Sequence, residues 1–217
     1  MDYRMFEHRI ANIVERMNAI GGDVSQVMVG APASSQQIAE CENQIGFQLP
    51  ESFKKVLLEF SSTCNLRWVF PDDYQLDDEL DGIFSGMLHW DLGLLKELND
   101  DKNGWVTEVF SNPNNEYDKV WHHTLAFYEV GNGDYFAFDL VENSPDACVV
   151  YLSHDDGEGH GYKLGDNFID FLEKWSRVAF AGGEDWQWLP FTSNSQSGIL
   201  PESQSANKFR SLLKLPI

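Results

Sequence analysis

The chain has 217 residues, 42% of them hydrophobic, and carries 35 acidic against 15 basic side chains for a formal charge of −20. That length and hydrophobic share allow a sizeable core and exclude general disorder. The charge disfavours nucleic acid or an anionic membrane as partner, and a basic protein surface would be attracted instead. Cys41, Cys64 and Cys148 are widely separated and show no CxxC spacing. One would stay unpaired even if two formed a disulfide, so a reducing compartment is expected, with the cytoplasm as default. No stretch reads as a secretory signal or as a bilayer span.

Phe6, Ile10, Ile13, Val14, Met17 and Ile20 recur at helical spacing and predict a first helix ending near Gly21-Gly22. It is expected to pack on the core, with a partner-binding arm as the alternative. After a connector with an extended piece at Val27-Met28-Val29, Ser34 or Ser35 can cap a helix whose inner positions are Ile38, Cys41 and Ile45 and which Gly46 ends. Cys41 sits among apolar positions and reads as a core thiol. Leu49 is held extended by Pro50, which suits the first turn of another helix burying Phe53, Val56, Leu57 and Phe60. Trp68-Val69-Phe70 reads as a strand closed by Pro71.

Residues 72–101 hold ten acids against Lys96 alone, interrupted by Leu76, Leu80, Ile83, Phe84, Leu88, Trp90 and further leucines. The apolar residues predict a segment folded down with its carboxylates facing solvent. Trp105-Val106-Thr107 reads as extended, Asn112-Pro113-Asn114-Asn115 as a loop, and residues 121–124 as a buried edge or connector. Phe127 to Val130 and Tyr135 to Leu140 flank Gly131-Asn132-Gly133-Asp134, the pattern of an antiparallel hairpin in which Gly133 permits a positive backbone angle. Residues 147–152 supply another short apolar strand. Asp166 is a plausible N-cap for a helix presenting Phe168, Phe171, Leu172, Trp175, Val178 and Ala179 on one face. Residues 192–207, rich in Ser, Asn and Gln, read as a flexible linker, after which Phe209, Leu212, Leu213 and Leu215 can dock.

Candidate chemistry centres on His122-His123 and on residues 153–160, SHDDGEGH. Imidazoles and carboxylates can bind zinc, iron or manganese, yet neither HExxH, an EF-hand loop nor a phosphate-binding glycine motif is present. Ser153 beside His154 is no triad, which needs a spatially oriented base and oxyanion donors. A turn near the sheet rim is the simpler reading, and Asp134 and Asp139 are expected to support turns.

Residues 34–60, SSQQIAECENQIGFQLPESFKKVLLEF, carry a pattern in Ile38, Glu42, Ile45, Gly46, Leu49-Pro50, Phe53-Lys54 and Leu57. With NGDYFAFD at 132–139 and FIDFLEKW at 168–175 it resembles the SUKH superfamily, which contains the fungal cell-wall-assembly regulator and many bacterial toxin-immunity proteins. The resemblance implies an α+β fold, a mixed or largely antiparallel sheet flanked by helices, with Leu49, Phe53, Leu57, Phe171 and Trp175 in a common core. It also implies a protein-binding module with no shared catalytic centre, and the absence of metal and phosphate motifs leaves no cofactor or metal expected. The expected division is a helical extension at 1–23, a SUKH-like domain at 24–192, and a polar linker with docking segment at 193–217. An immunity protein that neutralises a cognate toxin, such as a basic nuclease, is the expected function. A regulatory or scaffold module and a metal-dependent hydrolase are the alternatives. Asp77, Asp78, Glu79, Asp81, Asp155, Asp156 and Glu158 are the candidate partner contacts, with Trp90, Trp105 or Tyr162 adding less polar area.

Overall fold

The computed structural model describes residues 1–77, 79–140 and 144–215. Helix α1 (Tyr3–Ala19) starts where the Asp2 carboxylate accepts from the amides of Arg4 and Met5, and it buries Phe6, Ile10, Ile13 and Met17. Two short strands follow, β1 (Asp23–Val24) and β2 (Met28–Val29). In α2 (Ser35–Ile45) the Ser34 hydroxyl and the Gln37 amide form a reciprocal capping box, and Gly46 closes the helix at φ 86°. Pro50 then leads directly into α3 (Glu51–Glu59).

The first sheet is built around β3 (Thr63–Val69), which pairs antiparallel with β4 (Ser85–Asp91) along one edge and with β1 and β2 in succession along the other. Trp68 faces Gly86 in that register, and a Cβ at Gly86 would lie 2.2 Å from the indole, so the ring requires glycine there. The Trp68 Nε1–H donates to the carbonyl of Ala179 at 2.8 Å.

The second sheet is an antiparallel meander of β5 (Thr124–Glu129), β6 (Tyr135–Asp139), β7 (Val149–Leu152) and β8 (Lys163–Gly165). The β5–β6 turn places Gly133 at φ 95°, as its turn position demands. One face of this sheet, carrying Leu125, Phe127, Phe136, Phe138 and Tyr151, joins the main core beneath α3 and α6 (Phe168–Ser176). The other face, with Ala126, Tyr135, Ala137, Val150 and Leu152, is covered by Phe110, Trp121 and Trp105. Burial on both faces explains why these strands are nearly continuous apolar runs and lack the alternation of a half-solvated sheet.

That cover comes from α4 (Leu95–Glu108), the turn just after it and α5 (Asp118–Trp121). Trp105-Val106-Thr107 therefore lies in a helix, contrary to the extended reading. Leu95, Leu98, Asn99, Lys102 and Val106 share its inward stripe, and the two polar residues conceal the period. The N-cap of α6 is Asn167, one residue beyond Asp166, because its side chain accepts from the Asp170 amide.

After α6 come α7 (Asp185–Trp188), a 3-10 turn at Leu189–Phe191 and α8 (Gln204–Leu213). The polar segment between them is hydrogen-bonded chain, not free linker: Lys163 donates to Ser195, Ile199 to Leu164 and Leu200 to Phe191 through the backbone. Ile199, Phe209 and Leu213 are buried in the same core as Phe6 and Phe53.

Candidate functional site

The His/Asp-rich loop is the place where chemistry would be sought. Asp134, 2% exposed, receives four donors: the backbone N–H and Nδ1–H of His154 on Oδ1, and the Tyr151 hydroxyl and Asn132 amide on Oδ2, all between 2.6 and 2.9 Å. Burial and this carboxylate push the Tyr151 phenol far up, so it remains a donor. Among the described residues, Asp134, His154 and Asp155 form a group whose ligand atoms lie within 4.8 Å of one another. An ion there would compete with bonds that already satisfy Asp134, and the Asp155 carboxylate accepts from Ser153 Oγ at 2.8 Å.

His160 is equally committed. Its Nδ1 accepts from the Ser153 amide at 3.1 Å, its Nε2–H donates to the carbonyl of Tyr117 at 3.0 Å, and its ring stacks on Tyr117 at 3.7 Å. Burial lowers its pKa, consistent with the neutral tautomer that these bonds require. His122 Nε2–H donates to the carbonyl of Phe110. These groups form a hub that fixes the loop on the β5–β6 hairpin and the β7 end.

The acidic segments lie on the outside of the fold. Asp72, Asp73, Asp77, Glu79 and Asp81 are exposed on a loop pinned from below by Leu80 and Ile83 and by Tyr74 stacked on Phe70. Lys208 of α8 bridges Asp77 and Glu79 at 3.1 Å each. Asp78 lies outside the described residues. Asp155, Asp156 and Glu158 are exposed on the second acidic loop, with Asp156 at φ 63° and its amide donating to the Tyr117 hydroxyl.

Helix α7 joins the two loops. On one side the Asp185 carboxylate accepts the Gly159 amide at 2.7 Å. On the other, Gln187, fully buried, accepts through Oε1 from the amides of Phe84 and Ser85 and from the Ser85 hydroxyl. Trp186 projects outward from this turn, 49% exposed, and a Cβ on Gly82 would meet its ring at 3.4 Å. Phe84, on the same Gln187-bound edge, is 46% exposed. The arrangement offers two large apolar side chains between two sets of carboxylates.

The aromatic residues singled out in the sequence are placed differently. Trp90 is not a surface contact: it is fully buried, its Nε1–H donating to the Ser61 carbonyl and its ring set edge-on to Phe168. As part of β4 its side chain points into the sheet's inner face. Trp105 is half-buried against Phe110, Trp121 and His154, and Tyr162 is half-buried against Trp188. Phe84, expected to help fold the acidic segment down, and Trp186, in a run at 186–191 that reads as aromatic closure, are instead exposed, and alternation was a usable signal for both. Ile83 and Ser85 go inward around Phe84, and in a single helical turn Trp186 and Trp188 cannot share a face.

Leu49, Pro50, Phe53, Leu57, Phe171 and Trp175 are all buried, the five apart from Pro50 in one cluster. The Leu49 amide donates to Glu42, which also pairs with Lys54 at 3.2 Å. Asp139 is half-buried at the end of β6, where its amide donates to the Cys148 carbonyl. No helix among the described residues is long and apolar enough to cross a membrane.

A comparison with protein-family models finds that residues 32–174 match the SMI1 / KNR4 family (SUKH-1). The matched span opens just before α2 and closes within α6, so it contains the α2–α3 helix pair, the β5–β8 sheet and the Asp134 hub. A comparison with the curated proteins found no match.

Proposed function

The chain belongs to the SMI1 / KNR4 family (SUKH-1), and from that premise we propose that it is a non-catalytic, cytoplasmic immunity protein that binds and neutralises a cognate protein toxin. The observation that carries this reading is the exposed Trp186 and Phe84 set between two acidic loops. An aromatic anchor ringed by charge is the usual anatomy of a protein-binding surface, in which a few central residues dominate affinity. Asp77, Glu79, Asp81, Asp155, Asp156 and Glu158 form the rim in this proposal, and Asp78 is assigned to it from sequence alone. With a formal charge of −20 behind it, such a rim suits a basic partner, as a nucleic-acid-cleaving toxin is. The hydrogen-bond hub around Asp134 supports the non-catalytic reading, since its carboxylate and imidazoles are occupied in holding the loop.

The test is binding to the toxin encoded beside the protein's gene, by titration calorimetry, together with rescue of cells that express that toxin. A complex that protects cells and weakens at least about tenfold on Trp186→Ala supports the proposal. Absence of both binding and rescue rejects immunity and favours a regulatory or scaffold role. Rescue with unchanged affinity in Trp186→Ala would move the contact surface elsewhere.

A further inference from the structure

We propose that the groove between α1 and α8 binds a small amphipathic anion, an oxyanion headgroup carried on a short apolar body. The groove is a cavity of about 340 Å³ on the far side of α8 from the acidic loop, within the size range of small-molecule sites. Lys208 and Arg210 stand two positions apart on α8, so they face different ways. Lys208 holds Asp77 and Glu79, whereas Arg210 lines the cavity.

Positive charge is in excess here, in a chain with more than twice as many acids as bases. Arg9 is matched by Glu173 at 2.7 Å. Arg177 is matched by Glu202, and Arg210 reaches no other carboxylate than that same Glu202, at 3.8 Å, among the described residues. Two guanidinium groups therefore share one acid. Arg210 is only 4% exposed, and its geometry is fixed: Nη1 donates to the carbonyls of Arg177 and Pro201, Nη2 to Asn207, while Nε has no partner. Holding a buried cation without a full counter-charge is costly, and a planar oxyanion is the group that guanidinium forks recognise. Burial and the neighbouring Arg177 charge lower the pKa of Arg210, as expected for an under-compensated cation.

The rest of the lining defines the ligand's body. Met5 and Ile13, one helical turn either side of Arg9 on α1, and Leu215 contribute the apolar part of the lining, and Met5 is 52% exposed. A second cavity of about 280 Å³ continues along α1 past Asn12 to Arg16 and Lys214, with Glu15 as the acid in its lining. An extended polyanion would feel the strongly negative field of the whole chain, whereas a ligand with one or two charges meets mainly the local arginines. A small anion with an apolar tail satisfies both the arginines and the apolar part of the lining.

Calorimetric titration of the full chain with hexyl phosphate, hexanoate, inorganic phosphate and hexanol tests the proposal. Hexyl phosphate or hexanoate should bind one to one and roughly tenfold or more tighter than inorganic phosphate, while hexanol should not bind. Arg177→Gln should weaken binding by about tenfold or more, and so should Met5→Glu, which adds a like charge at the exposed mouth without entering the core. Circular dichroism establishes that both variants fold, and Lys54→Gln, remote from the groove, should bind as the parent does. Three results would overturn the proposal: no binding of either amphiphile at millimolar concentration, equal affinity for inorganic phosphate, or binding that persists in both groove variants.

Discussion

Asp134 shows how one carboxylate can organise a loop. Its four donors come from three separate positions, Asn132, Tyr151 and His154, so removing it strands one buried and several part-buried polar groups at once. Asp134→Ala should cost about 3 kcal/mol or more in denaturant unfolding, because each orphaned buried group carries a desolvation penalty. Asp134→Asn, which retains one acceptor, should cost less. A stability change below about 0.5 kcal/mol for the alanine variant would show that the hub is not structural. Lys102 gives the opposite case, a charge the fold tolerates at a cost. It is 2% exposed, and burial pushes its pKa down to about 8 from 10.5. A base with a depressed folded pKa keeps its full contribution above the unfolded value and loses it as pH falls through the folded one, so at pH 7 the penalty is already incurred. Lys102→Met should accordingly raise stability at pH 7 by about 1–3 kcal/mol, with the gain shrinking from pH 8 towards pH 10 in urea titrations. Unchanged or lower stability at pH 7 would contradict the burial argument.

Helix α3 and helix α6 meet over the second sheet through aromatic rings. Phe53 lies 4.8 Å from Phe168, 5.1 Å from Phe138 and 6.3 Å from Phe127, centroid to centroid, and is fully buried. Phe53→Ala removes a ring that ties α3 to α6 and to the β5–β6 pair, so it should destabilise the fold by about 3–5 kcal/mol. A loss below about 1 kcal/mol in guanidinium unfolding would mean that the cluster collapses around the gap or is not packed as described. Helix α7 is a different kind of element: a single turn with almost no stability of its own. It is held by Gly159 on one side and by the Phe84–Ser85 backbone on the other, which makes it a clamp between two loops and a rigid mount for Trp186.

The charge of −20 acts over the whole molecule, and its signature is kinetic. If the two acidic loops rim the partner surface, reversing Asp77 and Asp81 to Lys should slow association several-fold at low salt and leave dissociation nearly unchanged. Trp186→Ala should do the reverse, raising the dissociation rate with little effect on association. Stopped-flow mixing at two ionic strengths separates the two effects. Association that responds neither to salt nor to the reversals would remove the electrostatic part of the account.

The amino-acid sequence by itself determined many of the local elements and the family. Capping at Ser34, the stop at Gly46, the entry at Pro50 and the turn at Gly133 are short-range constraints, set by backbone angles and by donors and acceptors a few residues apart. The apolar period of 168–175 likewise needs only its own residues. Tertiary structure decided what those elements cover. Nothing near Trp105 indicates that its helix roofs the second sheet, because the stripe passes through Asn99 and Lys102. The polar residues around Ser195 look like linker until Leu164 and Phe191 supply their backbone partners. Exposure of Trp186 and burial of Trp90 depend on which face of an element meets the core, which local composition alone does not specify. The acidic loops and α7 are far apart in the chain, and long-range contacts, among them the hydrogen bonds to Asp185 and Gln187, bring them to one surface.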